Sequence, residues 1–187
     1  MSSSTSSRLV VVSNRLPITI SKTSDGDFNF RISSGGLVSA LSGCKKSLAF
    51  TWIGWPGMAL AGQDRAVVDA RLRNEYACEA VHLSDDVADK HYNGFSNSVL
   101  WPLFHYQAHG MHFSRDIWLA YREANMLFAK TIYAQLKDGD MIWVQDYHLM
   151  LLPAMLRKLI NEDIKSTPHI KIGFFLHIPF PNFDVFK

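Results

Sequence analysis

The sequence predicts an α/β domain whose mostly parallel sheet carries helices on both faces, in a Rossmann-like arrangement with an early β-hairpin. Segments with strand character alternate with helical segments through most of the chain. Residues 9–12 form a continuous apolar run, which is typical of a central strand buried on both faces. The chain has 187 residues, 48% of them hydrophobic and 19% charged, so it is long enough to bury a core.

The individual elements follow from periodicity and turn residues. Alternating apolar residues on either side of Asp25-Gly26 predict the hairpin. Ser84 before two aspartates predicts a helix start. The segment 87–105 is predicted to be helical in parts, with breaks at Asn93-Gly94 and at Pro102. Further strands are predicted at 50–53, 77–83, 141–145 and 170–176, and helices at 37–47, 64–76, 117–136 and 149–161.

Composition excludes several classes of protein. A net charge of +2 without a long basic run argues against a dominant nucleic-acid surface. No apolar run reaches transmembrane length. The Ser-rich residues 1–7 lack the features of a secretion signal, and we expect a disordered tail. Cys44 and Cys78 are too few for a disulfide framework, so reduced thiols and a cytoplasmic location are expected.

Ligands of parallel sheets bind beyond the carboxyl ends of the strands, so the loops there hold the candidate residues. Arg15 follows the first strand, where it is either a phosphate clamp or a surface arginine. Gly35-Gly36 precede a predicted helix. Their backbone N–H groups either receive a phosphate or only form a tight turn.

Aromatic and polar residues of the other loops suit a sugar. Trp55, Tyr92 and Trp101 offer flat apolar faces to C–H groups, although each is equally suited to packing. Asp146 follows a buried strand. As a candidate catalytic residue it accepts hydrogen bonds from substrate hydroxyls or acts as a base, and the alternative is a helix N-cap. His177 is either a polar contact to a substrate or a residue that braces its loop.

No metal site is predicted. His105, His109 and His112 have a spacing that imitates one, but no glutamate completes a metalloprotease pattern and no cysteine lies near. We therefore expect neither a metal nor another bound cofactor.

Six motifs in order resemble the amino-terminal part of trehalose-6-phosphate synthases, and the similarity covers nearly everything from residue 8 to residue 181. Each motif alone is weak, but their order and spacing are specific. The motifs are VVSNRLP at 11–17, SGGL at 34–37, WIGWPG at 52–57, YNGFSN at 92–97, LWPLFHY at 100–106 and VQDYHL at 144–149.

The resemblance implies a retaining glycosyltransferase of the GT-B class, with two Rossmann-like domains facing a cleft. Such enzymes transfer glucose from UDP-glucose to glucose 6-phosphate, giving α,α-trehalose 6-phosphate and UDP. They need no bound metal for the chemistry. The amino-terminal domain chiefly holds the acceptor.

The resemblance also assigns roles to matching positions. Arg15 matches the arginine that binds the acceptor phosphate. Trp55, Tyr92 and Trp101 match the aromatic residues of the acceptor pocket. Gly35 and Gly36 match the loop over the donor phosphates, and Asp146 and His177 match polar residues near the transferred glucose.

The sequence departs from the family in its last part. The resemblance implies a carboxyl-terminal donor domain, which the 187 residues do not include. We therefore expect residues 8–187 to form the acceptor-side domain and to have little transferase activity alone. The last loop has Ile178 where the family has a threonine, and residues 182–187 differ from the family's Ser-Ser-Glu-like helix start.

Two other functions remain open at this stage. One is a non-catalytic sugar-phosphate-binding or docking subunit of a trehalose-synthesis complex, acting with other subunits or as a homo-oligomer. The other is a different GT-B enzyme, similar to glycogen synthase, with a polymeric acceptor. The aromatic motifs around Tyr92 and Trp101 argue against the second.

Overall fold

A five-stranded, fully parallel sheet forms the centre of the molecule, as the sequence predicts. The computed structural model describes residues 8–34, 50–162 and 169–182. The strand order is β5-β4-β1-β6-β7. A separate antiparallel hairpin, β2 with β3, precedes β4. The strands are β1 (Leu9–Arg15), β2 (Ile18–Lys22), β3 (Phe28–Ile32), β4 (Phe50–Trp55), β5 (Cys78–Ala80), β6 (Met141–Gln145) and β7 (Lys171–Phe175).

Helices connect these strands. They are α1 (Gly62–Tyr76), α2 (Asp85–Asp89), a π-helix (Lys90–Leu100), α3 (Trp101–Phe104), α4 (Arg115–Tyr133) and α5 (Leu152–Glu162), with 3₁₀ turns at Ala108–Gly110 and Tyr147–Leu149. Ser84 caps α2 as predicted, because its Oγ accepts a hydrogen bond from the N–H of Val87 at 3.3 Å. Among the described residues, none of these helices is long and apolar enough to cross a membrane.

Both faces of the sheet are buried, because successive side chains of a strand point to opposite sides. On β1, Val10 and Val12 pack toward α4 and α5, whereas Val11 packs toward the hairpin and α1. All three valines are 1% exposed or less. This two-sided burial explains the apolar run that identified the central strand.

The predicted breaks near Asn93-Gly94 and Pro102 are wrong. Residues 85–104 are helical throughout, and the middle eleven form a π-helix. Gly94 packs closely against the Ile117 side chain of α4, which would lie only 2.9 Å from a Cβ added at Gly94. This contact favours a glycine within the helix. Pro102 lies in the first turn of α3, where a missing N–H donor is tolerated.

Some predictions fall on other parts of the chain. The tail at 1–7, the helix at 37–47 and Cys44 lie outside the described residues. Cys78 is buried, and the expectation of reduced thiols stays a prediction.

Candidate functional site

A cavity of about 500 Å³ opens at the carboxyl edge of the sheet. The chain leaves β1 toward β4 on one side, and β6 lies on its other side, so the strand order reverses at β1. Ligands of doubly wound sheets bind beside such a reversal. The lining residues are Ser13, Asn14, Arg15, Leu16, Trp52, Trp55, Tyr92, Gln145, Asp146, His148 and His177.

The cavity brings together the predicted residues Arg15, Trp55, Tyr92, Asp146 and His177. Arg15 and Trp55 end strands β1 and β4, and Tyr92 lies in the π-helix. Asp146 and His177 lie in the loops after β6 and β7.

Trp101 does not line this cavity. Its ring is 44% exposed, lies 3.8 Å from the ring of His105, and is 6.0 Å from that of Tyr147 between centroids. Its predicted role stays a prediction. Gly35 and Gly36 lie outside the described residues.

A β-bulge at the end of β1 directs Arg15 toward Trp55. The register shifts between Val12 and Arg15, so that Arg15 pairs with Trp55 of β4. The buried Ser13 hydroxyl donates a 2.7 Å hydrogen bond to the Arg15 carbonyl. It also accepts a 2.7 Å hydrogen bond from Nε1 of Trp52. Trp52 is therefore both a buried core residue and a support for the site.

The guanidinium of Arg15 has no acidic partner among the described residues. Their ion pairs use other cations, such as Arg8 with Asp140 and Arg73 with Glu79. The Arg15 guanidinium carbon lies 5.1 Å from the centroid of the Trp55 ring, within cation–π range. An unpaired guanidinium at a cavity wall is suited to a bidentate phosphate contact.

Two buried histidines, His91 and His148, lie at the cavity wall: His148 lines it, and His91 contacts the lining residue Asn14. Nε2 of His91 lies 3.1 Å from the Oδ1 atom of Asn14. Burial, and to a smaller extent the nearby His148, lower the pKa of His91 to about 3. Burial also lowers the pKa of His148 to about 4, although Asp146 acts in the opposite direction. Both rings are therefore neutral at pH 7.

His148 forms part of an aromatic stack. Its ring lies between Tyr92, at 5.5 Å, and Tyr147, at 4.1 Å, with interplanar angles of 10° and 30°. Its Nε2 atom is buried and has no hydrogen-bond partner among the described residues. A neutral imidazole can donate or accept at that atom, depending on its tautomer. The stack of Tyr92 on His148 thus gives the cavity an aromatic wall.

Asp146 connects the ends of β6 and β7. Its N–H donates to the Phe175 carbonyl at 2.7 Å, and its Oδ1 accepts from the N–H of His177 at 3.3 Å. Its φ of 72° is strained for a residue with a side chain. Asp146 occupies the N-cap position of the 3₁₀ turn that follows, but its side chain makes no capping hydrogen bond there. The carboxylate is therefore not used as a cap. Strain retained at a cavity points to function.

Side chains of α4 hold the loop after β6 through hydrogen bonds to its backbone. The fully buried Asn125 donates to the His148 carbonyl at 3.2 Å and accepts from the N–H of Leu152 at 3.1 Å. The Tyr121 hydroxyl donates to the Tyr147 carbonyl at 2.7 Å. These bonds hold Asp146 and His148 in a rigid frame.

Sequence reasoning missed several residues of the cavity. Asn14 and Gln145 directly precede the predicted residues Arg15 and Asp146, and their position at strand ends was the available signal. His148 lies two residues after Asp146. Asn14 and Gln145 are buried polar residues, 7% and 1% exposed. His91 directly precedes the predicted residue Tyr92 but supports the site from outside the cavity lining, through its contact with Asn14.

The site has the chemistry of a receptor for a phosphorylated sugar. It combines a cation, aromatic faces and a carboxylate in a volume typical of small-molecule pockets. Among residues 8–34, 50–162 and 169–182, no three His, Cys, Asp or Glu side chains cluster closely enough to hold a metal ion.

Comparison with known proteins agrees with this geometry. A family model described as glycosyltransferase family 20 matches residues 7–187. The UDP-forming α,α-trehalose-phosphate synthase 1 of Aspergillus fumigatus is 54% identical over 180 residues, covering 96% of this chain and 34% of that protein. The chain thus spans about a third of the length of the curated relatives that it matches.

Two solved structures share the fold. An Escherichia coli trehalose-6-phosphate synthase bound with UDP-2-fluoro glucose is 34% identical, with a TM-score of 0.72 over 96% of this chain and 35% of that one. A Burkholderia xenovorans UDP-forming α,α-trehalose-phosphate synthase in complex with glucose-6-phosphate is 31% identical. Its TM-score is 0.70, over 95% of this chain and 35% of that one.

Proposed function

Because the chain belongs to glycosyltransferase family 20, we propose that it is the acceptor-side domain of a UDP-forming trehalose-phosphate synthase. The proposed reaction transfers glucose from UDP-glucose to glucose 6-phosphate. One observation carries the proposal: the cavity places the unpaired Arg15 beside aromatic faces and the carboxylate of Asp146. A hexose phosphate needs a cation at one end and acceptors for its hydroxyls at the other.

Each side chain takes a separate role in this proposal. Arg15 binds the acceptor phosphate, and Trp55 and Tyr92 flank the sugar. Trp101 extends the aromatic surface from outside the cavity. Asp146 and His177 contact hydroxyl groups of the transferred glucose, and the strained backbone of Asp146 fixes its direction. The glucose-6-phosphate complex of the Burkholderia relative supports this choice of acceptor.

The chemistry needs no protein nucleophile. An acceptor hydroxyl attacks the anomeric carbon from the face that the UDP leaving group departs. The bond to the UDP oxygen breaks as the new glycosidic bond forms, and the leaving phosphate takes the hydroxyl proton. Configuration is retained, and the protein orients both sugars and stabilises charge. Asp146 then acts as an acceptor of hydroxyl hydrogen bonds.

Donor binding requires more positive charge than this cavity offers. Arg15 is the permanently charged cation among its lining residues, whereas the pyrophosphate of UDP-glucose carries two negative charges. We propose that backbone N–H groups at Gly35 and Gly36 contribute, and that a second domain supplies further cations. We therefore expect little UDP release from the 187-residue chain. Robust release of UDP by this chain would contradict the proposal that a second domain is needed to bind the donor.

We further propose that the protein works in the cytoplasm and without a bound metal. The chain has two cysteines, too few for a disulfide framework, which is compatible with a reducing compartment. Arginine and backbone groups can neutralise phosphate charge without a cation. Subunits of a trehalose-synthesis complex, or further copies of the chain, are proposed partners.

Calorimetry with glucose 6-phosphate tests the acceptor site. We expect saturable binding to the chain, and a loss of at least about tenfold in affinity for Arg15→Ala, because a charged hydrogen bond contributes about 1.5 to 3 kcal/mol. Arg122→Ala, at an exposed position of α4, is the matched control and should bind like the original chain. Glucose and inorganic phosphate, titrated separately, show which half of the ligand is recognised.

The same titrations separate the alternatives. Binding without UDP release fits either an acceptor domain or a non-catalytic sugar-phosphate-binding subunit. Equal affinity of the Arg15→Ala variant would contradict the phosphate role of Arg15. No binding of glucose 6-phosphate would contradict the proposed acceptor site and favour a docking subunit.

A further inference from the structure

The carboxamide of Gln145 lies at the base of the cavity, beside the imidazole of His177. Gln145 ends β6 and is 1% exposed. Its Oε1 atom lies 3.0 Å from Nε2 of His177. Its Nε2 donates to the Trp143 carbonyl at 3.4 Å. Because that carbonyl occupies the amide nitrogen, the amide oxygen is the atom that faces the ring.

This orientation determines where the ring carries its proton. A carboxamide oxygen can only accept a hydrogen bond, so Nε2 of His177 must be the donor. In a neutral imidazole, the other nitrogen then holds a lone pair. No residue of the described part of the chain hydrogen-bonds to Nδ1 of His177, which leaves this acceptor available to a ligand in the cavity.

The backbone of His177 is held independently of Gln145. The N–H of His177 donates to Oδ1 of Asp146, and the N–H of Asp146 donates to the Phe175 carbonyl. These bonds keep the end of β7 beside β6. Removing the Gln145 oxygen should therefore release the tautomer of the ring without moving the loop.

We infer that Gln145 is a positioning residue that keeps the proton of His177 on Nε2, so that Nδ1 accepts a hydrogen bond from a sugar hydroxyl. The choice of a sugar as ligand rests on the proposed function. The tautomer itself rests only on the contacts of Gln145 and His177. Fixing a histidine tautomer through the bond at its other nitrogen is a general device of binding sites.

Nuclear magnetic resonance measures this tautomer directly. The chain is labelled with ¹⁵N-histidine, and two-bond ¹⁵N–¹H correlations are recorded without ligand at about pH 7.5. The signals of His177 are assigned by their loss in His177→Ala. We expect a single tautomer with the proton on Nε2.

Variants of Gln145 provide the decisive comparison. Gln145→Leu removes the acceptor, and we expect a mixture of both tautomers. Gln145→Glu keeps an acceptor oxygen and should keep the proton on Nε2. Gln107→Leu, the same change at an exposed position, should leave the signals of His177 unaltered.

Two results would overturn the inference. One is a proton on Nδ1 in the unmodified chain, and the other is an unchanged signal pattern in folded Gln145→Leu. If Gln145→Leu does not fold, the unmodified chain and Gln145→Glu still decide the question. Absent binding of glucose 6-phosphate, together with an Nε2 proton, would contradict the proposed function and leave the role of Gln145 standing.

Discussion

The guanidinium of Arg15 lies directly against the Cα atom of Gly57. A methyl group on Gly57 would overlap Nη2 of Arg15, and the φ of 93° at Gly57 is a conformation that side chains rarely adopt. The Gly54–Gly57 loop therefore provides the space in which the guanidinium reaches the cavity wall. A loop residue without a functional group is in this way part of the site.

Gly57→Ala should weaken the binding of glucose 6-phosphate, because its methyl group displaces the Arg15 guanidinium. We expect a loss of about tenfold or more in calorimetry, similar to that of Arg15→Ala. Gly26→Ala is the matched control. Gly26 also has a positive φ, of 84°, but nothing lies within 4 Å of an added methyl group. Gly26→Ala should lose about 1 kcal/mol of stability but should bind glucose 6-phosphate with unchanged affinity. Equal binding by both variants would contradict the contact.

Gly54→Ala should destabilise the sheet itself. An added methyl group would lie 2.8 Å from the Leu16 nitrogen and 2.9 Å from the Arg15 carbonyl carbon, and backbone atoms cannot move aside cheaply. We expect a loss of about 2 to 4 kcal/mol in urea unfolding.

Gly173→Ala serves as the control for that change. Gly173 also lies in a strand, but its added methyl group would meet Trp143 at 3.9 Å, an ordinary contact. We expect a change within about 0.5 kcal/mol. A comparable loss in both variants would show that close packing against the β1 bulge is not the cause.

Ser13 and Trp52 should be coupled. Trp52→Phe removes the N–H that donates to Ser13, and Ser13→Ala removes the hydroxyl that joins Trp52 to the Arg15 carbonyl. Each single change should cost about 1 to 2 kcal/mol in chemical unfolding. The double variant should lose about 1 kcal/mol less than the sum. Full additivity would mean that this hydrogen bond contributes nothing.

Stability should fall as the pH decreases below 6.5. An unfolded histidine has a pKa of about 6.5, whereas the folded values are about 3 for His91 and about 4 for His148. The unfolded chain therefore binds more protons over this range, and acid favours unfolding. The contribution of both histidines is fully present above pH 6.5 and is lost as the pH falls toward 4.

Urea unfolding at about pH 7 and about pH 5 measures this loss, which should be on the order of 1 to 2 kcal/mol for each histidine. His91→Phe keeps a ring in place and removes one titrating group. Between about pH 7 and about pH 5, this variant should lose less free energy of unfolding than the unmodified chain. The difference should be about 1 to 2 kcal/mol, the contribution of one histidine. An unaltered slope in this variant would show that His91 does not remain neutral in the folded chain.

Particular residues show which parts of the fold and of the site the sequence could predict. The run at 9–12 identified the central strand, because burial on both faces requires apolar residues in succession. Position after a strand identified Arg15, Asp146 and His177, since carboxyl ends of parallel strands share one edge. Local pattern failed at Asn93-Gly94, where packing against Ile117 outweighs the low helix propensity of glycine.

By itself, the sequence determined the fold class, the edge of the sheet at which ligands bind and the family, because these depend on local periodicity and on short motifs. The tertiary structure alone decided which neighbours complete the site. The contacts of Gln145 with His177 and of His91 with Asn14 join residues 32 and 77 positions apart. Such contacts depend on strand order and side-chain direction, which no local segment encodes. The tautomer inferred for His177 follows from its contact with Gln145, and burial in the folded chain keeps His91 neutral.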